Sequence, residues 1–232
     1  MPDSIETLLV VAAGNEVTAV GALFDAGDAQ DASDGSLYRI SSSVWVLQTG
    51  IGKANAAARV ARVLARNTVK RVVNLGIAGA LPGSGLELGQ TILASKSVFA
   101  DEGVETTNGF LDCRAMGFPL YKGDDSTGLH PDPHLRDRVL GLVSAEVVIA
   151  TVSTCSGRDD LATRIRRRTG AGAECMEGAA VMLACRHANV PAAEIRVISN
   201  TTGDRESQEW AIGPAMTRLG EIAKQISDID FG

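Results

Sequence analysis

Short apolar runs alternate along this chain with longer stretches of helical spacing. Leu8 to Ala13 is continuously apolar and ends at Gly14-Asn15-Glu16, which predicts a strand buried on both faces. Val17 to Phe24 then reads as a helix. Val44 to Leu47 is a second strand, Gly50-Ile51-Gly52-Lys53 a tight turn, and the Ala-rich stretch Ala54 to Arg66 a helix. Val69 to Leu75 is a strand running into Gly76-Ile77-Ala78-Gly79. Thr91 to Val98, Val147 to Val152 and Ile195 to Ile198 are further strands. Asp159 to Arg168, Met176 to Ala188 and Ile212 to Ile226 have helical spacing. Strands alternating with helices predict an α/β fold, a three-layer αβα sandwich whose central mixed, twisted sheet is flanked by helices. Gly103 to Asp137 is rich in Gly, Pro and Asp and has little periodicity. It reads as a long excursion of loops, a feature that often carries function. No repeat, low-complexity tract or composition break marks a linker, so residues 1–232 are read as a single domain.

Composition narrows the classes. The 232 residues are 45% hydrophobic, enough for one sizeable core. No apolar run reaches the length of a membrane span. The acidic start, Met1-Pro2-Asp3-Ser4-Ile5-Glu6, is unlike a signal peptide. A formal net charge of −6 argues against nucleic acid as a partner, because that affinity rests on neutralising phosphates. The exception is Arg164-Ile165-Arg166-Arg167-Arg168, whose simplest reading is a solvated helix end favoured by the macrodipole. Cys113, Cys155, Cys175 and Cys185 have no CxxC spacing and read as reduced thiols of a cytoplasmic protein. His130 and His134 flank Pro131-Asp132-Pro133, so they do not share the helical turn that an i, i+4 metal pair needs. No metal and no cofactor are expected.

Candidate chemistry collects after strand ends, where open α/β sheets place their ligands. Glu16 follows the first strand, Gly50 to Lys53 the second, Gly76 to Gly79 the third, Ser153 to Ser156 a later one and Asn200 the last. Gly50-x-Gly52 is not a dinucleotide fingerprint, because Asn55 stands where a third glycine would pack. Gly52-Lys53-Ala54 is not a Walker loop, and no nucleophile elbow is present.

Five segments in order do match a known pattern: Gly14-Asn15-Glu16-Val17, Thr49-Gly50-Ile51-Gly52-Lys53, Asn74-Leu75-Gly76-Ile77-Ala78-Gly79, Cys175-Met176-Glu177-Gly178-Ala179-Ala180 and Ile198-Ser199-Asn200. Over nearly its whole length the chain resembles the nucleoside phosphorylase and nucleosidase superfamily. Within that group it is most similar to the futalosine hydrolase family. The closer likeness rests on Thr151-Val152-Ser153-Thr154-Cys155-Ser156-Gly157, on Met-Glu-Gly-Ala-Ala, and on Ser199-Asn200 followed by Gly203-Asp204-Arg205 and Trp210.

The resemblance implies hydrolysis of an N-glycosidic bond, releasing hypoxanthine from futalosine in the alternative menaquinone route. Glu16 matches the family's water-activating base. Glu177 matches the carboxylate that accepts hydrogen bonds from the ribose hydroxyls, with Met176 packing beside the sugar. Asn200 stands at the base, where adenine-releasing relatives carry Asp; its amide offers donors that suit the two acceptors of hypoxanthine. Gly79, Thr154 and Ser156 are candidate substrate contacts. Trp210 occupies the 5′ side, with Arg205 as a candidate carboxylate partner. The alternatives are a phosphorylase of 6-oxopurine nucleosides, a methylthioadenosine/adenosylhomocysteine nucleosidase, and a non-catalytic nucleoside-binding module. The neighbourhood Val73-Asn74-Leu75 lacks the arginine that phosphorylases place there, and Arg71 lies inside the strand. The expected partners are a small nucleoside and, by resemblance, further copies of the chain in a homodimer or higher oligomer, with the excursion from Phe99 to Phe118 able to reach a neighbour.

Overall fold

The computed structural model describes residues 4–24, 36–121 and 128–231. Strand β1 (Ser4–Val11) lies parallel to and between β3 (Val44–Gln48) and β4 (Thr68–Ala80). The short β2 (Leu37–Arg39) covers the open edge antiparallel to β3. The far half of β4 pairs in parallel with β10 (Ala192–Thr201), and its last two residues pair antiparallel with β9 (Ala173–Cys175). Strand β10 continues antiparallel to β5 (Thr91–Phe99), which runs parallel to β8 (Ala145–Thr151) and so back to β9. The mixed sheet therefore closes on itself through β4, β10, β5, β8 and β9, while β1, β3 and β2 form an open wing.

The apolar runs are buried on both faces, as strands inside such a sheet must be. Leu9, Val11, Val73 and Leu75 pack toward α1 (Gly14–Gly21) and α6 (Ile212–Ser227). The alternate residues Leu8, Val10 and Val72 pack toward α2 (Lys53–Arg66) and α5 (Gly178–Ala188). A third cluster, with Ala78, Ala80, Ala94 and Ala173 beside Ile92 and Ile149, belongs to the closed part of the sheet. Small residues suit that narrow space. Helix α3 (Pro133–Val139) joins the first cluster through Leu135 and Val139. Helix α4 (Asp159–Thr169) covers β8 through Ala162 and Ile165.

Several boundaries differ from expectation for local reasons. Helix α1 begins at Gly14 rather than Val17, because the Glu16 carboxylate satisfies the free N–H groups of Ala12 and Ala13. Strand β4 does not stop before Gly76 but carries Gly76-Ile77-Ala78-Gly79 inside its ladder with β10. Helix α5 starts at Gly178, so Met176 and Glu177 precede it. The 103–137 stretch is not all loop. Strands β6 (Gly103–Thr106) and β7 (Gly109–Asp112) form a hairpin there, and α3 follows. Their residues are mostly exposed on both faces, so no alternation of apolar and polar residues could have announced them. Residues 122–127 of that stretch, and the first three residues of the acidic N-terminus, lie outside the described residues.

The arginine run closes α4 as a helix end. Arg166 donates to the carbonyls of Gly170 at 3.2 Å and Ala171 at 2.5 Å, and Arg168 stacks on Phe110 of β7 at 4.3 Å. Among the described residues no helix is long and apolar enough to cross a membrane.

Leu219 of α6 is fully buried in the cluster shared with β1, β4 and β10. Leu219→Ala is expected to lower unfolding free energy by about 2–5 kcal/mol, the usual cost of a buried leucine cavity. Urea unfolding with an unchanged m-value is the measurement, and a loss below about 1 kcal/mol would mean that α6 is not packed as described.

Candidate active site

The expected residues converge where β1, β4 and β10 end. Glu16 is buried in the first turn of α1. Its Oε2 accepts from the amides of Ala12 and Ala13, each at 2.9 Å, and its Oε1 accepts from the amide of Ile77 at 3.1 Å. The helix-start role is thus real, but the bond to Ile77 reaches across to β4 and holds the carboxylate over the far half of that strand.

Glu177 stands at the N-cap position of α5 and makes no side-chain cap to its own helix. Its Oε1 accepts instead from the amide of Gly52 at 2.9 Å, in the turn before α2. A buried carboxylate that leaves its own helix uncapped is placed for something other than starting that helix. Met176 is half-buried beside it and lines a cavity of about 810 Å³ together with Gly52, Phe99 and Ser153.

Asn200 follows an irregularity in the β10 ladder at Ser199, between Ile198 and Asn200. Such a bulge re-aims the side chains around it. The Ser199 hydroxyl donates to Asn200 Oδ1 at 2.8 Å, and Asn200 Nδ2 donates to the carbonyl of Thr201 at 2.8 Å. These bonds orient the amide and leave one of its two N–H groups, so the expectation of two donors for a base is reduced to one. Gly79 lies alongside: a Cβ there would come within 3.1 Å of Asn200 Nδ2. Trp210 pairs with Asn200 through an isolated antiparallel bridge and is exposed, with the Arg205 guanidinium 4.5 Å above its ring. Arg205 also donates to Gln208.

Thr154 is exposed in the segment after β8. Ser156 is buried, and its amide and hydroxyl both donate to Glu174, at 2.7 and 2.6 Å. Its hydroxyl is therefore committed to holding this segment. Arg71 is engaged elsewhere, with the Glu6 carbonyl, the Thr7 hydroxyl and the Phe231 ring. Lys53 is neutralised by Asp101 at 2.5 Å and Glu102 at 3.0 Å. Among the described residues no cluster of three His, Cys, Asp or Glu side chains is built to hold a metal.

The sequence reading missed Arg196. This guanidinium is 1% exposed and lies at the centre of the group. Its Nε donates to Glu194 at 2.9 Å. With the Asn74 amide oriented to satisfy both neighbours, Nη2 donates to Asn74 Oδ1 at 2.8 Å while Asn74 Nδ2 donates to the Val10 carbonyl at 3.2 Å. Nη1 lies over Gly76, where a Cβ would collide with it and would also stand 2.8 Å from Glu16 Oε1. A signal existed: Glu194-Ile195-Arg196 places two charges at strand spacing within a run otherwise buried on both faces.

The electrostatics follow from burial. Desolvation raises the Glu177 pKa, Arg196 and the Gly52 N–H pull it back, and Glu16 and Glu194 push it up again. Burial opposes the Arg196 charge, yet the surrounding Cys175, Glu194, Glu177 and Glu16 hold its pKa above the ordinary value. The Cys155 thiol is pushed up to about 11 by burial, by Glu174 and by Glu177, with Arg205 opposing.

The phosphorylase superfamily model matches residues 7–228. Futalosine hydrolase of Acidothermus cellulolyticus is 34% identical over 93% of this chain and 88% of its own length. Futalosine hydrolase of Thermus thermophilus is 33% identical over 78% of this chain and 79% of its own. Among solved structures, a 5′-methylthioadenosine/S-adenosylhomocysteine nucleosidase of Helicobacter pylori superposes with a TM-score of 0.80 at 18% identity, covering 97% of this chain and 99% of that one. At that identity the likeness speaks for the fold.

Proposed function

The chain belongs to the phosphorylase superfamily, and we propose that within it this protein is a nucleosidase that hydrolyses the N-glycosidic bond of futalosine, releasing hypoxanthine. The observation that carries the reading is the charge balance around Arg196 beside Gly76. Three carboxyl groups act on the one guanidinium: Glu194 is bonded to Arg196 Nε, Glu16 Oε1 and Arg196 Nη1 both face Gly76, and Glu177 contributes through its charge. Cleavage of an N-glycosidic bond passes through a state with positive charge on the sugar ring. A site with an excess of carboxylates stabilises that charge and repels phosphate. The one lysine of the turn before α2 is paired with Asp101 and Glu102, which further disfavours an anionic nucleophile.

Each residue then has a role. A water held between Glu16 Oε1 and Arg196 Nη1 loses its proton to Glu16 as it attacks the anomeric carbon. Glu177 accepts hydrogen bonds from the ribose hydroxyls, and Met176 packs on the sugar. The remaining N–H of Asn200 donates to the departing purine and stabilises the charge it gathers. Gly79 keeps room for that amide, and Thr154 borders the base while Ser156 holds the segment through Glu174. Trp210 and Arg205 receive the carboxyphenyl group on the 5′ side, the ring by stacking and the carboxylate by charge.

Incubation of futalosine with the protein is expected to yield free hypoxanthine at the same rate with and without phosphate. The chromatogram decides: a sugar 1-phosphate formed only when phosphate is added overturns hydrolysis.

Glu16→Gln is expected to lower kcat by about 10²–10⁴-fold, the usual loss with a general base, while substrate affinity changes far less. Steady-state kinetics beside a binding titration separates the two. Turnover within a few-fold of the parent would reduce Glu16 to a helix-capping residue.

Asn200→Asp replaces a donor by an acceptor next to the base. The ratio of kcat/KM for futalosine over its 6-amino counterpart is expected to fall by about ten- to more than a hundredfold, equivalent to the 1–3 kcal/mol of an unmatched buried polar group. An unchanged ratio would mean that Asn200 does not read the base.

A further inference from the structure

We propose that Glu194 is a positioning residue for the hydrolysis: it holds the Arg196 guanidinium in the plane that aims Nη1 at the nucleophilic water, and it prevents Arg196 from collapsing onto Glu16. The inference rests on the proposed reading that the attacking water is held between Glu16 Oε1 and Arg196 Nη1.

Glu194 and Arg196 lie two residues apart on β10, so their side chains leave the same face of the strand. Glu194 is fully buried, and both of its oxygens are occupied. Oε1 accepts from Arg196 Nε at 2.9 Å and from the Cys175 thiol at 3.2 Å, and Oε2 accepts from the Ser97 hydroxyl. Three strands, β10, β9 and β5, thus hold one carboxylate. With Glu194 on Nε and Asn74 on Nη2, two of the three guanidinium nitrogens are pinned and the third is directed over Gly76. A planar group bonded at two of its three nitrogens is strongly restrained in its orientation, which is the preorganisation that a water-orienting donor needs.

The position of Gly178 supports this. A Cβ at Gly178 would collide with both carboxylate oxygens of Glu194. The glycine after Glu177 is therefore the room that the Glu194 carboxylate occupies. Glu177 and Glu194 are coupled through it: one holds the sugar, and the other sets the donor beneath the sugar.

Without the Glu194 charge, the nearest carboxyl groups left to Arg196 are Glu16 and Glu177, both of which act on its charge. Arg196 would pair with them. Such a change lowers the rate of water attack and leaves recognition of the base and the 5′ group in place. A residue that only supported the fold would lower the amount of folded protein without changing the kcat of what folds.

The test is a double-mutant cycle on kcat with futalosine, using Glu194→Gln, Arg196→Lys and their combination, with Ser97→Ala as a milder probe. The expected result is a kcat lower by about 10–100-fold in Glu194→Gln and by several-fold in Ser97→Ala, with KM within about threefold in both. On the Arg196→Lys background, Glu194→Gln is expected to cost little more, because the two act as one unit. Unchanged kcat in folded Glu194→Gln overturns the proposal, as does a cycle in which the two losses multiply. If Glu194→Gln does not fold, Ser97→Ala decides in the same way. The underlying water-site reading fails separately, through an Arg196→Lys variant that keeps full kcat.

Discussion

The structure depends on burying the Arg196 guanidinium at the junction of β4 and β10. A lone buried charge of this kind is untenable, and removing one partner of a buried ion pair typically costs about 3–5 kcal/mol. The chain meets the demand with Glu194 on the same strand and Asn74 on the adjacent one. Those two bonds fix where the charge sits. Everything that faces it, Glu16 from α1 and Glu177 from the start of α5, is then arranged around a positive centre that is already partly neutralised. Replacing such a pair with apolar residues is often neutral for stability, so the reason to keep it here lies in the site rather than in the core.

The sign of the remaining charge selects the chemistry. After Arg196 is balanced by Glu194, two carboxyl groups, Glu16 and Glu177, remain without a cation of their own at this junction. This is a poor place for a phosphate and a good one for a ring that becomes cationic. The turn before α2 points the same way. It has the tight geometry of an anion cradle, with Gly50 and Gly52 at φ of 81° and 95°, but its Gly52 N–H is given to Glu177 and its lysine to Asp101 and Glu102. A loop able to hold a free anion holds the protein's own carboxylate instead.

What could be read from the chain, and what could not, follows from the range of the interactions. Apolar runs such as Leu8 to Ala13 reveal the central strands because burial on both faces leaves a local mark. Glu16, Glu177 and Asn200 were legible because they sit in short ordered motifs after strand ends. The hairpin of β6 and β7 was not, since it is exposed on both faces and has no period to detect. Closure of the sheet by the β4–β10 pairing was also hidden, being a contact between residues more than a hundred positions apart. Arg196 and Glu194 escaped notice for a related reason. Each alone looks like a surface charge, and only their spacing within a doubly buried strand shows that they must pair. The place of Glu16 was half-legible: a helix-start carboxylate was expected, and one oxygen does serve the helix, while the other accepts from β4, a contact with no local mark in the sequence.

One segment ties Asn200 to Trp210. Past the bulge at Ser199 the chain folds back on itself: the Thr201 amide donates to the Glu209 carbonyl at 3.0 Å, and the Ala211 amide donates to the Ser199 carbonyl at 2.7 Å. Asn200 and Trp210 become cross-strand partners. Gln208 ties the tip of this segment to the carbonyls of Ser156 and Gly203. A side-chain amide and an exposed aromatic, ten residues apart in sequence, are thereby fixed relative to each other by backbone bonds. Neither can move without the other. In the proposed reading, specificity for the base and for the 5′ substituent is a single structural property of residues 199–211, while the charges that break the bond stand on β10, α1 and the approach to α5. On that reading the charges around Arg196 can stay constant while the 199–211 segment changes, which is how one fold can serve nucleosides that differ at both ends.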